Sequence, residues 1–256
     1  QMSTREKGSA VSRVMQIIEA VCKAERPMSP ADLVCQLNIP KPSIHRLLNQ
    51  LEGDGFVQTN MRGLIIPGAK MHSIAWGILH SERFSAVRRA ILQQLTKEIG
   101  ETCGIAVPSG SEMVYYDRVQ ADWPLQVNLQ VGSHTPSWCT ASGKLYLSSL
   151  PKDRCQSIIN KLALTQYTRN TIVDTDKLET QLQRIKLTSV GTDNEEFIDG
   201  MVAIAVPITD KSGKLCACLF THAPVIRKSF DELSGYTDVL QRAAAYLGQM
   251  IDDAEQ

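Results

Sequence analysis

A chain of 256 residues, 43% hydrophobic and 21% charged, has room for one large domain or two small ones, which excludes a disordered or fibrous protein. Its longest apolar stretch, Met201 to Ile208, falls far short of the roughly 20 residues a membrane helix needs, and no charged-then-apolar leader opens it. A cytoplasmic protein with no membrane partner is expected. Basic and acidic residues balance at 27 each, but residues 1–70 carry nine Lys/Arg against six Asp/Glu (net +3) and the remainder 18 against 21 (net −3). A mildly basic head on a mildly acidic body points to an anionic partner at the head. The seven cysteines include no C-x-x-C pair, so reduced thiols are expected rather than a disulfide framework or zinc knuckle. Gln1, ahead of Met2, is set aside from the fold argument.

Helical periodicity begins with Val11, Val14, Met15, Ile18, Val21 and Cys22, which share one face. Arg26-Pro27 ends that helix, because the residue before a proline is pushed out of the α region. Ser29 as N-cap with Pro30 in the first turn starts a short second helix bearing Leu33, Val34 and Leu37. After the turn at Asn38-Ile39-Pro40, a third helix from about Lys41 buries Ile44, Leu47, Leu48 and Leu51. Its other side presents Ser43, His45, Arg46, Asn49 and Gln50, hydrogen-bonding residues with almost no acid among them. Alone, such a face is most often merely solvated. Here a two-stranded hairpin follows, Phe56-Val57 and Leu64 to Ile66 around a turn holding Arg62, and the order helix, helix, turn, helix, hairpin is that of a winged helix-turn-helix. Double-stranded operator DNA is the expected partner, contacted by Ser43, His45, Arg46, Asn49, Gln50 and Arg62. Arg5 and Lys7 either reach a phosphate or belong to a frayed terminus.

Pro67-Gly68 closes the hairpin, and Ala69 to Leu79 reads as a connecting helix. A helix from Ser85 to Ile99 follows, with Val87, Ala90, Ile91, Leu95 and Ile99 as its buried stripe. The pattern then turns to strands at 103–107, 113–119 and 125–131, helices at 141–149, 152–162 and 175–187, strands at 201–208 and 214–221, and a final helix from about Ser229 to Met250. The mixture predicts an α+β body, an antiparallel sheet with helices packed on it. The expected organisation is a DNA-binding domain over 1–67, a linker helix over 68–84 and a body over 85–256.

Catalytic signatures are scarce. Ser142-Gly143-Lys144 superficially resembles a phosphate loop, but the positions that need Gly and Ser/Thr hold Trp138 and Leu145. Cys139, His222 and Asp193 are the residue types of a thiol triad or a metal site, with no spacing that supports either. No enzyme activity, cofactor or metal is expected. The alternatives left open are a small-molecule enzyme using Cys139 and His222, or a DNA-binding scaffold without a ligand.

Several segments, in order, resemble the isocitrate lyase regulator (IclR) family: 37–48 (LNIPKPSIHRLL), 136–144 (PSWCTASGK), 164–172 (LTQYTRNTI), 193–196 (DNEE) with Gly200-Met201, 205–207 (AVP), and Ala223-Pro224 with Arg227. The resemblance implies a bacterial transcription factor with a winged head, a linker helix and a GAF-like effector domain, assembling as a dimer or tetramer. It also implies an effector site at Val127 on a third strand, Thr135, Ala141 and Ser142 at a helix start, Asp193 on a loop, Met201 and Ala203 on one strand, and Phe220 and His222 on the next. The N-terminus of the helix at Ala141 suits a carboxylate. Where many members of the family have two serines, this chain has Phe220 and His222, which favours an aromatic or bulkier organic acid over a very small one.

Overall fold

The computed structural model describes residues 9–79, 82–124, 126–127 and 129–253, and the chain divides into two compact units between Ser85 and Ala86. The first unit holds α1 (Ala10–Lys23), α2 (Pro30–Leu37), α3 (Lys41–Gly53), the hairpin β1 (Val57–Thr59) and β2 (Ile65–Pro67), and α4 (Ala69–Leu79). Ser29 and Asp32 cap α2 reciprocally, each side chain accepting the other's backbone N–H, at 3.1 and 2.9 Å. Asn38 ends α2 in the left-handed region at φ 54°, which turns the chain sharply into α3. Ile44, Leu47, Leu48 and Leu51 of α3 are buried against Ile17, Val21 and Leu33, with Val57 and Ile65 of the hairpin closing the core.

The inward face of α1 differs from the sequence expectation. Ile17, Ala20 and Val21 are buried, while Val11 is 71% and Met15 58% exposed and Cys22 faces outward. The helix carries two adjacent apolar stripes, and a three-helix core has room for only one.

The second unit is an antiparallel six-stranded sheet of order β5-β4-β3-β8-β7-β6 with helices on both faces. Its strands are β3 (Thr102–Ser109), β4 (Glu112–Val119), β5 (His134–Pro136), β6 (Gly191–Asn194), β7 (Met201–Thr209) and β8 (Leu215–Pro224). Against one face lie α6 (Ala141–Ser149), α7 (Lys152–Lys161) and α8 (Thr175–Thr188), through Leu145, Leu147, Ile159, Leu178 and Leu182. Against the other lie α5 (Glu82–Ile99), α9 (Phe230–Ser234) and α10 (Thr237–Asp253), through Leu92, Leu95, Ile99, Leu233, Leu240 and Leu247. The α+β class follows the sequence reading.

Four local expectations are corrected. The buried stripe of α5 is Arg88, Leu92, Leu95, Thr96 and Ile99, while Val87 is 45% exposed. The helix is turned because Arg88 goes inward, donating to Asp117 Oδ2 at 2.7 Å and to the Tyr116 hydroxyl, and stacking over the Tyr116 ring. Among the described residues of 125–131 no strand is present: the Arg118 guanidinium takes the carbonyls of Val127 and Leu129, diverting them from a ladder, and the short β5 occupies the sheet edge. Leu125 and Asn128 lie outside the described residues. The last helix is two, because the chain breaks at Gly235. Asp193 sits on β6 and not on a loop; the GTDN sequence of that strand has no apolar alternation to reveal it.

Candidate functional site

In the first unit, α3 places His45, Arg46, Asn49 and Gln50 on its exposed side, with Ser43 half-buried at its first turn. The wing presents Arg62 at the tip of a turn built by Asn60, whose side-chain oxygen accepts the N–H groups of Arg62 and Leu64 at 2.9 and 3.0 Å. Gly63 supplies the positive φ, 75°, that this turn needs. Helix face and wing tip each present acid-poor, hydrogen-bonding side chains able to donate to phosphates and base edges. Arg5 and Lys7, like Gln1, lie outside the described residues.

In the second unit, the α6 face of the sheet gathers most of the implied effector residues. Strand register aligns Asp193, Ala203 and His222 across β6, β7 and β8, and the next row aligns Gly191, Ala205, Phe220 and Gly104. Paired residues point to the same side of a sheet, and Ala203, Ala205 and Phe220 all belong to the core beneath α6. The Phe220 ring lies flat over Gly104, stacked on Tyr115 at a centroid distance of 4.9 Å and parallel to His222 at 5.8 Å. A β-carbon at Gly104 would fall 2.5 Å from Phe220 Cζ, so the glycine is what lets the ring lie down. At the edge of the site, Thr135 lies on β5 and Ser137 packs under Gly143. Val127 is half-buried in the segment tied down by Arg118, and Met201 is buried at the start of β7.

Above this face, Thr140 caps α6 by accepting Gly143 N–H at 3.1 Å, and the helix then packs so closely that a β-carbon at Gly191 would fall on the Ala141 carbonyl oxygen. Among the described residues no hydrogen bond takes the N–H of Ala141 or Ser142. Of the buried side-chain atoms without a hydrogen-bond partner among the described residues, four belong to β5, β6, β8 and the turn into α6: Thr135 Oγ1, Ser137 Oγ, Asp193 Oδ2 and His222 Nε2. Buried polar atoms are paired in nearly all native structures, so a group of them marks a place built to receive something.

Electrostatics sharpen the picture. Burial lifts the Asp193 carboxyl to about 7, helped by the charge of Glu196 and opposed by the Glu196 N–H and by Lys144. Burial lowers His222 to about 4, and the nearby Arg118 charge lowers it further. The imidazole is therefore neutral and the carboxyl poised near neutrality. Burial, with Asp193 and Glu196 adding to it, pushes the Cys139 thiol far above its usual range, the opposite of what a thiol nucleophile needs. No group of three or more His, Cys, Asp or Glu able to hold a metal occurs among the described residues.

Lys144 of the glycine-containing segment is completely buried and bonds Glu196 Oε1 at 2.6 Å. It is a strut between α6 and the β6–β7 connection and not a phosphate ligand. The hydroxyls of Thr168 and Thr171 both reach the Glu196 carbonyl, tying those two segments together. Sequence reasoning missed Tyr115, Arg118 and Ser137 as neighbours of the site. Arg118, a cation near the end of a strand whose middle is apolar, was the available signal.

Comparison with known proteins agrees with this architecture. Residues 10–60 match the IclR helix-turn-helix domain, and residues 77–248 match the C-terminal domain of the bacterial transcriptional regulator IclR. The chain is 36% identical over 244 residues to the protein named Probable transcriptional regulator SauR of Cupriavidus necator, covering 95% of this chain and 96% of that one. Among solved structures, the Thermotoga maritima IclR superposes with a TM-score of 0.63 at 23% identity, covering 94% of this chain and 97% of the other. An IclR homolog from Microbacterium hydrocarbonoxydans, solved in complex with 4-hydroxybenzoate, superposes with 0.60 at 17% identity, covering 94% and 98%. Fold, site and relatives together define a transcriptional regulator with a helix-turn-helix DNA-binding domain and a C-terminal effector domain. The chain belongs to the IclR family.

Proposed function

We propose that the chain is a ligand-responsive regulator of catabolic genes, with 1–67 as its head, 68–84 as linker and 85–256 as effector domain. The head reads operator DNA through Ser43, His45, Arg46, Asn49, Gln50 and Arg62. The body binds a small organic acid, aromatic in character, at Val127, Thr135, Ala141, Ser142, Asp193, Met201, Ala203, Phe220 and His222. The observation that carries the reading is the set of four unpartnered buried polar atoms beside the open N–H groups of α6. A helix N-terminus receives a carboxylate, and Phe220 and Tyr115 offer aromatic surface. The 4-hydroxybenzoate bound by the structural neighbour is of this chemical class.

The protein works as a homo-oligomer in this reading. Val11, Met15 and Cys22 leave an apolar stripe on α1, and Ile74 and Ile78 a second on α4, surfaces that a second copy would cover. Paired heads double the phosphate and base contacts. Effector occupancy shifts the equilibrium between DNA-competent and DNA-incompetent states through α4 and α5, the helices joining the two units. A thermal-shift screen of aromatic and aliphatic carboxylic acids on the intact protein tests the reading. A saturable rise, about 2.7 kcal/mol of added stability at a hundredfold excess over Kd, supports it. No response across the panel refutes it.

A further inference from the structure

Asp193 is a buried carboxyl whose charge the fold does not compensate. It is 1% exposed on β6, paired with Ala203 of β7, and two residues back along the same strand Gly191 lies against the Ala141 carbonyl of α6. Alternate residues of a strand share a face and are about 7 Å apart, so the carboxyl stands beside the start of α6. The Glu196 N–H takes its Oδ1 at 2.7 Å, while its Oδ2 is buried without a hydrogen-bond partner. The cation whose field reaches it, Lys144, is committed to Glu196 at 2.6 Å, a pair whose charges cancel. Among the described residues no ion pair includes Asp193. An acid received by the open N–H groups of Ala141 and Ser142 therefore meets a second carboxyl in a dry site, where two carboxylates in contact cannot both be ionised.

We infer that Asp193 and the effector carboxylate share one proton, so that a bound acid and ionised Asp193 exclude each other and the site releases its ligand as pH rises. The inference rests on the reading of this face as an organic-acid site. Whichever of the two carboxyls carries the proton, Oδ2 gains the O–H···O bond it lacks. The groups around Asp193 do not supply that proton. Glu196, on the β6–β7 connection, and Lys144 of α6 are locked to each other, and Glu195 turns away to accept the Gly200 N–H at 2.9 Å. Burial pushes up Cys139, ahead of α6, and Tyr115 of β4, and burial with the Arg118 charge lowers His222 of β8 to about 4. That leaves Asp193, lifted to about 7 mainly by burial, to change charge near neutrality.

Calorimetric titration of the full-length protein with benzoate, phenylacetate and hexanoate, and with any acid that the thermal-shift screen adds to them, tests this between pH 6 and pH 9, a range in which simple carboxylic acids stay ionised. Affinity should fall by about tenfold per pH unit once Asp193 ionises, and titrations at pH 8 in buffers of different ionisation enthalpy should report about one proton taken up per acid bound. Asp193→Asn should take up no proton, bind independently of pH, and at pH 8.5 bind about tenfold or more tightly than the unaltered protein, a gain that a folding defect does not produce. A pH-independent affinity without proton uptake in the unaltered protein overturns the inference and leaves the acid site standing. A fall with pH that persists in Asp193→Asn overturns the assignment to Asp193. Binding of none of the three acids, with no response to any other carboxylic acid, removes the acid-site reading and this inference with it. The pH profile and proton count of the unaltered protein decide the question whether or not the variant folds.

Discussion

Replacing Lys144 by Met isolates one buried charge pair. The lysine is 0% exposed and its partner Glu196 5%, with Nζ and Oε1 2.6 Å apart. Glu196 Oε2 also accepts the Asn194 N–H at 2.9 Å, and the Glu196 backbone holds Thr168 and Thr171, so the carboxylate cannot swing out to water without dismantling three segments. Methionine matches the volume of the lysine stem but leaves the carboxylate charged and unpaired. Breaking such a pair costs about 3–5 kcal/mol, a large share of a typical total of roughly 5–15 kcal/mol. Urea unfolding followed by fluorescence reports on it, because Trp138 bonds the Thr165 carbonyl beside the affected loop. The double variant Lys144→Met, Glu196→Gln should recover at least half of the loss, since the amide keeps an oxygen for Asn194 without a stranded charge. A loss under about 1 kcal/mol for the single variant, the scale of an exposed pair, would refute the claim that this strut is dry.

Arg46→Ala should weaken operator binding and flatten its salt dependence while shifting stability by no more than about 0.5 kcal/mol, since the side chain is exposed; an equal loss of effector affinity would assign the residue to folding instead. Asp193, lifted to about 7 from 3.8, keeps its proton in the folded state after the unfolded chain has released it, so its ionisation removes stability as pH climbs from about 4 to 7. The groups around it are Glu196, Lys144, Cys139 and Tyr115. Asp193→Asn should therefore gain in Tm over the unaltered protein between pH 5 and pH 8, and a pH-independent difference would contradict this. His222, lowered from 6.5 to about 4, acts in the other direction, so the Asp193→Asn variant should itself grow more stable as pH rises from about 4 to 6.5. Gly104→Ala would set a β-carbon 2.5 Å from Phe220 Cζ and 2.7 Å from the Asp117 carbonyl oxygen. Overpacking of this kind costs about 1–3 kcal/mol; a tilted Phe220 should weaken effector binding as well, and unchanged affinity would show that the ring is not part of the site.

Where side-chain period and capping residues agree, the fold was readable from the sequence. Ser29-Pro30, Pro67-Gly68 and the apolar runs of β3, β4, β7 and β8 are local signals, and local physics settles them. The failures share a cause in tertiary pairing. Arg88 turned α5 inward because Asp117, 29 positions away, waits for it. The segment at 125–131 has a clean alternation, yet the Arg118 side chain claimed its carbonyls. The polar strand β6 joins the ladder that β7 offers. For the site, the family resemblance supplied positions, but no periodicity could show that Asp193 and His222 share one row or that Tyr115 stacks on Phe220.

The sheet beneath α6 is surfaced largely with residues that scarcely have side chains: Gly104, Gly191, Ala203 and Ala205. Gly191 sets how closely the helix approaches, Gly104 leaves room for the Phe220 ring, and Phe220 and His222 give this face its aromatic and polar character. Under the proposed effector reading, a combinatorial library at Phe220 and His222 of β8 is the natural route to sensors for new compounds.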